Sequence, residues 1–209
     1  MILFRLSVLA LVPLALSGCL SGVLPDQRES AVYGLPEPLA VEPSGTPWPG
    51  VLRIEPARAT APIDSATLIV RRTDGELQSL AGARWAAPLP GMFSELLARQ
   101  ANQARLAHAV TSEPGVIASR LLLSTTIDHF ELIESDRGLG PHAEVRARLV
   151  CVRTQSVLAS SEPIRVEARP EQAGTPTREA AQALRASAAV AARLVVLWAR
   201  GVDVSACPE

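Results

Sequence analysis

The sequence predicts an α+β domain of two layers, a largely antiparallel β-sheet with two helices covering one face. Three observations carry that expectation. Segments of two-residue and of helical periodicity follow one another as strands, helix, strands, helix, which is not the alternation of a βαβ fold. His142 to Thr154 alternates cleanly, with Val145, Ala147, Leu149 and Cys151 on one face and Glu144, Arg146 and Arg148 on the other. One apolar and one wet face is the pattern of an antiparallel sheet covered on one side. Finally, Leu184, Ala188, Ala191, Val195 and Trp198 make a single apolar stripe at helical spacing near the C-terminus.

The elements follow in order. In Val51 to Glu55, Leu52 and Ile54 alternate with Arg53 and Glu55, so folded structure is expected to begin at Val51 with a half-buried strand. Thr67 to Thr73 is a second strand, Asp74-Gly75 a hairpin turn, and Glu76 to Leu80 the short return strand leading to Ala83-Arg84-Trp85. Pro88 to about Ala104 is the first helix, because Leu89, Met92, Phe93, Leu96 and Leu97 share a face opposite Glu95, Arg99 and Asn102. Ala107 to Thr111 is a short strand closed by Glu113-Pro114-Gly115.

The apolar run Ser119 to Glu134 is rich in β-formers. Its apolar positions change parity after Asp128, from Leu123 and Ile127 to Phe130 and Leu132, which predicts a bulge near His129. Asp136 to Gly140 is a loop, His142 to Thr154 the next strand, and Val157 to Ala168 the last, giving an antiparallel meander. The final helix has Thr175 as N-cap, Pro176 in its first position and Gly201 as C-terminal cap. The apolar stretch Ala188 to Ala199 is too short to span a bilayer and carries Arg193, so a buried helix is expected.

Ahead of the domain, Arg5 precedes an apolar run from Leu6 to Leu16, and Leu16-Ser17-Gly18-Cys19 follows. A charged n-region, a short h-region and small residues before a cysteine are a secretory signal that ends in a lipobox. Residues 1–18 are thus expected to be removed and Cys19 lipidated, with two or three acyl chains anchoring the protein stably. Leu20, where an Asp would resemble inner-membrane retention, favours the periplasmic face of the outer membrane. Residues 19–50, punctuated by Pro36, Pro38, Pro43, Pro47 and Pro49, are expected to be a tether, with Tyr33 and Leu35 as pinning points, and 51–209 the domain.

Composition narrows function. Removing 18 of the 209 residues leaves 191, enough for one domain with a core. The precursor carries a formal charge of −1, and losing Arg5 makes it −2, so no nucleic-acid partner is expected. All 20 basic residues are arginine, which removes any chemistry that needs a lysine amine. His108, His129 and His142 show no metal-ligand spacing, and Asp128 and His129 are neighbours whose side chains a strand points apart. There is no Gly-x-Ser-x-Gly elbow and no Gly-rich phosphate loop. The expectation is a protein without catalytic residues, cofactor or metal.

Two further pairs stand out. Arg84-Trp85 opens the first helix, where Trp85 either packs the helix start onto the sheet or, with Arg84, anchors a partner. Cys151 lies on an apolar strand face and Cys207 just past the helix expected to cover it. In an oxidising compartment a disulfide between them is favoured over a buried and an exposed thiol; it would close a loop worth about 3–4 kcal/mol.

Four stretches after the lipobox, in their order and spacing, carry a family resemblance. They are Tyr33-Gly34-Leu35, Arg84 to Leu89, the Leu121 to Glu131 strand ending in Phe130-Glu131, and Ala143 to Leu149. With them the chain resembles the ABC-type transport auxiliary lipoprotein family, accessory to MCE-type (mammalian-cell-entry) lipid transporters. The resemblance implies partners: an MCE-domain periplasmic protein with its permease and ATPase, a membrane reached through the lipid anchor, and assembly into a homo-oligomer, though no residue here demands a ring. It implies movement of phospholipid between membranes and upkeep of the outer-membrane barrier. The alternative is an envelope assembly or barrier lipoprotein that binds a protein or glycolipid without any transporter.

Overall fold

The computed structural model describes residues 30–43, 45–113, 118–168 and 176–208. The expected signal segment, Cys19 and Thr175 lie outside them. The domain from Ala31 onward is built on one long strand, β7 (Leu121–Ser135), paired along its whole length with the antiparallel β8 (Gly138–Cys151). A two-residue turn, Asp136-Arg137, joins them, and Ser135 faces Gly138, whose φ of 112° suits glycine. The expected loop over Asp136 to Gly140 is therefore mostly strand.

The other edge of β7 is shared by three shorter strands, each parallel to it. β2 (Trp48–Ile54) pairs with Leu121 to Leu123, β3 (Arg58–Ala59) with Thr126 and Ile127, and β4 (Thr67–Arg71) with Leu132 and Ile133. Beyond them β6 (Ala107–Thr111) lies parallel to β2, and β5 (Leu77–Trp85) antiparallel to β4. β1 (Ala31–Tyr33) runs parallel to the end of β5. On the far edge of β8 sit β9 (Ser156–Ser160) and β10 (Ile164–Glu167), both antiparallel to it. The ten-stranded sheet is thus mostly antiparallel, with its parallel pairings short and gathered mainly on one side of β7.

The parity switch in β7 is a bulge. Ile127 faces Val145 but His129 faces Glu144, so Asp128 is the extra residue. Leu121, Leu123 and Ile127 before it, and Phe130 and Leu132 after it, consequently all reach the core. The expected single strand from Val157 to Ala168 is two, because Pro163 has no N–H for the ladder. Ser161 bridges the gap: its hydroxyl accepts from the Ala147 N–H at 2.9 Å, and its own N–H donates to the Ala147 carbonyl at 2.8 Å.

Helix α1 (Leu89–Gln103) follows Pro88 and carries Pro90 in its first turn, where no intrahelical N–H is needed. It buries Leu89, Phe93, Leu96 and Leu97. Helix α2 (Thr177–Arg200) starts one residue later than expected, with Pro176 in the N-cap place and no side-chain cap bond. Gly201 does cap its end, but at a φ of −79° that any residue adopts. Leu184, Ala188, Ala191 and Val195 are fully buried where α2 lies on β8, and the helix also packs on α1. Among the described residues α2 is the one helix long and apolar enough to cross a membrane, yet its apolar stripe is spent on this core.

The expected start of folding at Val51 is too late. Val41 and Trp48 belong to the core, Tyr33 and Leu35 pack against it, and β1 pairs with β5. Between β1 and β2 the backbone of Leu39 is held by a side chain and not by a strand partner: Gln100, fully buried in α1, accepts from the Leu39 N–H at 3.0 Å and donates to the Leu39 carbonyl at 2.8 Å. Arg185 of α2 donates to the Gly34 carbonyl at 2.6 Å.

Candidate functional site

The apolar face of the β7–β8 hairpin is consumed by the helices, so its chemistry lies on the opposite face. There the bulge at Asp128 and the two-residue turn decide which side chains meet. Counting back from the turn puts Glu131 directly opposite His142, and His129 two residues before Glu131 shares its face. β4, pairing with β7 at Val70 and Arg71, brings Arg71 alongside, and β10 brings Glu167 opposite His142.

Glu131 is the centre of this cluster, and its side chain is 1% exposed. Its Oε1 accepts from Arg71 Nε at 2.8 Å, with Arg71 Nη2 at 2.7 Å, and lies 3.2 Å from His129 Nδ1. His142 Nδ1 stands 3.9 Å from the same oxygen, while its Nε2 lies 3.4 Å from Glu167 Oε1. The two imidazoles stack with centroids 4.9 Å apart and planes 29° apart. Burying one carboxylate among a guanidinium and two imidazoles compensates its charge. Yet Glu131 Oε2 and His142 Nδ1 are buried with no hydrogen-bond partner among the described residues.

Around the cluster the wet face is laced with ion pairs. Asp128, the bulged residue, accepts from Arg146 Nε at 2.6 Å and Nη2 at 2.5 Å, so it faces Arg146 rather than His129. Arg165 Nε donates to Glu144 at 2.5 Å, and Arg72 meets Glu134 at 2.9 Å. The hydrogen bond it donates to Asp128 raises the Arg146 guanidinium above its ordinary value, and the one donated to Glu144 does the same for Arg165. Both arginines are on the exposed surface, so these pairs order the surface more than they stabilise the fold.

The residues singled out in the sequence are placed as follows. Cys151 and Cys207 are bonded, their Cα atoms 5.4 Å apart and 56 residues apart in the chain. Arg120 holds the same tail, donating to the Cys207 carbonyl and, at 3.3 Å, to the Pro49 carbonyl. Trp85 is 1% exposed, its ring 6.0 Å from that of Phe130, so it packs the helix start onto the sheet. Arg84 remains on the surface. His108 sits exposed on β6, apart from the cluster, whereas His129 and His142, 13 residues apart, meet. The sequence spacing of the histidines gives no metal-ligand set; in space, His129, Glu131 and His142 each offer a potential ligand atom, all within 4.8 Å of one another.

The fold is shared with solved structures. Protein XCC0632 from Xanthomonas campestris is 25% identical, with a TM-score of 0.71, over 81% of this chain and 95% of that one. A crystal structure of an uncharacterized protein is 15% identical, with a TM-score of 0.63, over 81% of this chain and 97% of the other. Among curated proteins, none matches significantly. The model of the ABC-type transport auxiliary lipoprotein component matches residues 33–195, which run from the end of β1 through the central hairpin and its polar cluster to the last turns of α2. With a match of that extent, this chain belongs to the ABC-type transport auxiliary lipoprotein family.

Proposed function

We propose that the chain is a non-enzymatic periplasmic lipoprotein, anchored through Cys19 to the outer membrane, that serves as accessory subunit of an MCE-type ABC transporter. In this role it helps move phospholipid between the two membranes and maintain the outer-membrane barrier. The observation that carries the reading is the family match over residues 33–195 behind a lipobox at Leu16 to Cys19. A transporter that moves lipid across an aqueous gap needs a docking point at the far membrane. Anchoring a domain there raises its effective concentration at that surface without any new contact. Pumping and ATP hydrolysis fall to the permease and ATPase partners.

The test is cross-linking in whole cells followed by capture of the tagged, lipidated protein and mass spectrometry of what comes with it. Recovery of an MCE-domain protein, weakened by Cys19→Ala, is the expected result. Recovery of barrel-assembly or other envelope proteins alone would overturn it.

A further inference from the structure

We propose that His129, Glu131 and His142 form a binding site for a divalent transition-metal ion of the zinc type. The three come from two adjacent strands whose register places Glu131 opposite His142, and the Asp128 bulge sets His129 on the same face. A tetrahedral zinc ion with bonds of about 2.0–2.1 Å holds its ligand atoms roughly 3.3 Å apart. His129 Nδ1 already lies 3.2 Å from Glu131 Oε1, and His142 Nδ1 lies 3.9 Å from it. Side-chain rotations of order 1 Å therefore close the set.

The polar atoms left over point the same way. Glu131 Oε2 and His142 Nδ1 are buried without a partner among the described residues, which is costly for an acceptor unless something fills its place. With its proton on Nε2, which lies 3.4 Å from Glu167 Oε1, His142 is in the tautomer that can ligate through Nδ1. That leaves the Nδ1 lone pair facing the Glu131 carboxylate. Two acceptors face to face repel unless a cation lies between them, and a carboxylate behind a ligating imidazole is the usual support of a metal site. Imidazole and carboxylate together suit zinc and its neighbours. His129, 40% exposed, gives the ion a way in.

Arg71 is the group that opposes this, and it supplies a signed test. Its guanidinium donates to Oε1, the carboxylate oxygen 3.2 and 3.9 Å from the two imidazole Nδ1 atoms, so it competes with a metal for that atom, and its charge repels an incoming cation. Removing it should tighten metal binding, the reverse of what a purely structural cluster would show.

The full lipidated chain, purified in detergent without a polyhistidine tag and stripped with a chelator, is titrated with zinc chloride alone by calorimetry. Bound metal is counted by elemental mass spectrometry, and cobalt is used as an absorbing substitute. One ion per chain is expected, with affinity weakened roughly tenfold or more by His142→Gln and by His129→Gln. Arg71→Gln should tighten it several-fold, and His108→Gln should leave it unchanged. Because His129 is the more exposed ring, His129→Gln decides the matter should His142→Gln misfold by circular dichroism. No bound zinc at roughly 100 µM free metal, an affinity ceiling of about 5.5 kcal/mol, overturns the site. So does binding that ignores both histidine substitutions, or a cluster in which His142→Gln alters only proton uptake.

Discussion

Gln100 is a polar side chain fully buried in a helix, a place where an amide is tolerated only if its donors and acceptor are used. It meets that condition by pairing with both backbone groups of Leu39, as a neighbouring strand would. Gln100→Ala leaves both Leu39 groups unpaired and should cost about 1–3 kcal/mol, read as a lower urea midpoint together with loss of exchange protection at the Leu39 amide. Trp85 and Arg84 divide differently. Trp85→Ala empties a core site against Phe130 and should cost about 3–5 kcal/mol, whereas Arg84→Ala on the surface should stay within about 0.5 kcal/mol. Equal effects from the two would contradict the packing role. Asp203 gives a pH dependence: hydrogen bonds from the Ser205 N–H and then its hydroxyl hold its carboxyl below the ordinary 3.8. A depressed folded value means that this turn stabilises above the unfolded value and that the contribution is lost as pH falls through the folded one. The Asp203 carboxyl carbon, followed by NMR, should titrate with a midpoint below 3.8 in the folded chain.

Among the elements, α1 ends in a way its sequence does not advertise. Leu106 N–H returns to the Ala101 carbonyl and Arg105 N–H to the Asn102 carbonyl, a Schellman motif that puts Arg105 at a φ of 49°. An arginine there bears the left-handed strain that glycine avoids. Arg105→Gly should stabilise by about 1 kcal/mol, less the entropy glycine adds to the unfolded chain, and thermal unfolding would show it. What the sequence made legible was local. The bulge could be read from the parity change around Asp128, the β4–β5 turn from Asp74-Gly75, and β6 from five residues of Ala107–Thr111. The parallel pairing of β2, β3 and β4 with β7 could not, because parallel partners are joined by no hairpin, and β3, only two residues long, gave no strand signal of its own. The polar cluster lay between these extremes. Its His129, Glu131 and His142 would have emerged from counting back from a two-residue turn at Asp136-Arg137, but taking Asp136 to Gly140 as a loop hid the register. Arg71, sixty residues from Glu131, had no local signal at all.

For the whole molecule, recognising that the domain begins near Ala31 changes the leash between lipid and protein. A tether from Cys19 to Gly50 would reach roughly 110 Å when fully drawn out, whereas the twelve residues from Cys19 to Ser30 reach at most about 40 Å. On the proposed anchoring through Cys19, so short a lead keeps the domain beside whichever membrane carries the lipid, so the proposed anchor and its destination matter to the proposed role as much as the fold does. The residues that set them are adjacent. Cys19→Ala removes the thiol proposed to be acylated and should move the protein from the membrane to the soluble periplasmic fraction, since the apolar stripe of α2 is committed to the core. Leu20→Asp keeps the thiol, so the protein should stay membrane-bound but shift from outer- to inner-membrane fractions on a sucrose density gradient. The proposed role has the domain dock at the outer membrane, so cross-links to an MCE-domain protein should fall with the shift. Cys19→Ala protein that still sediments with membranes would show that something other than the thiol holds it. A Leu20→Asp protein that moves while keeping its cross-links would place the docking surface on the inner-membrane side of the gap.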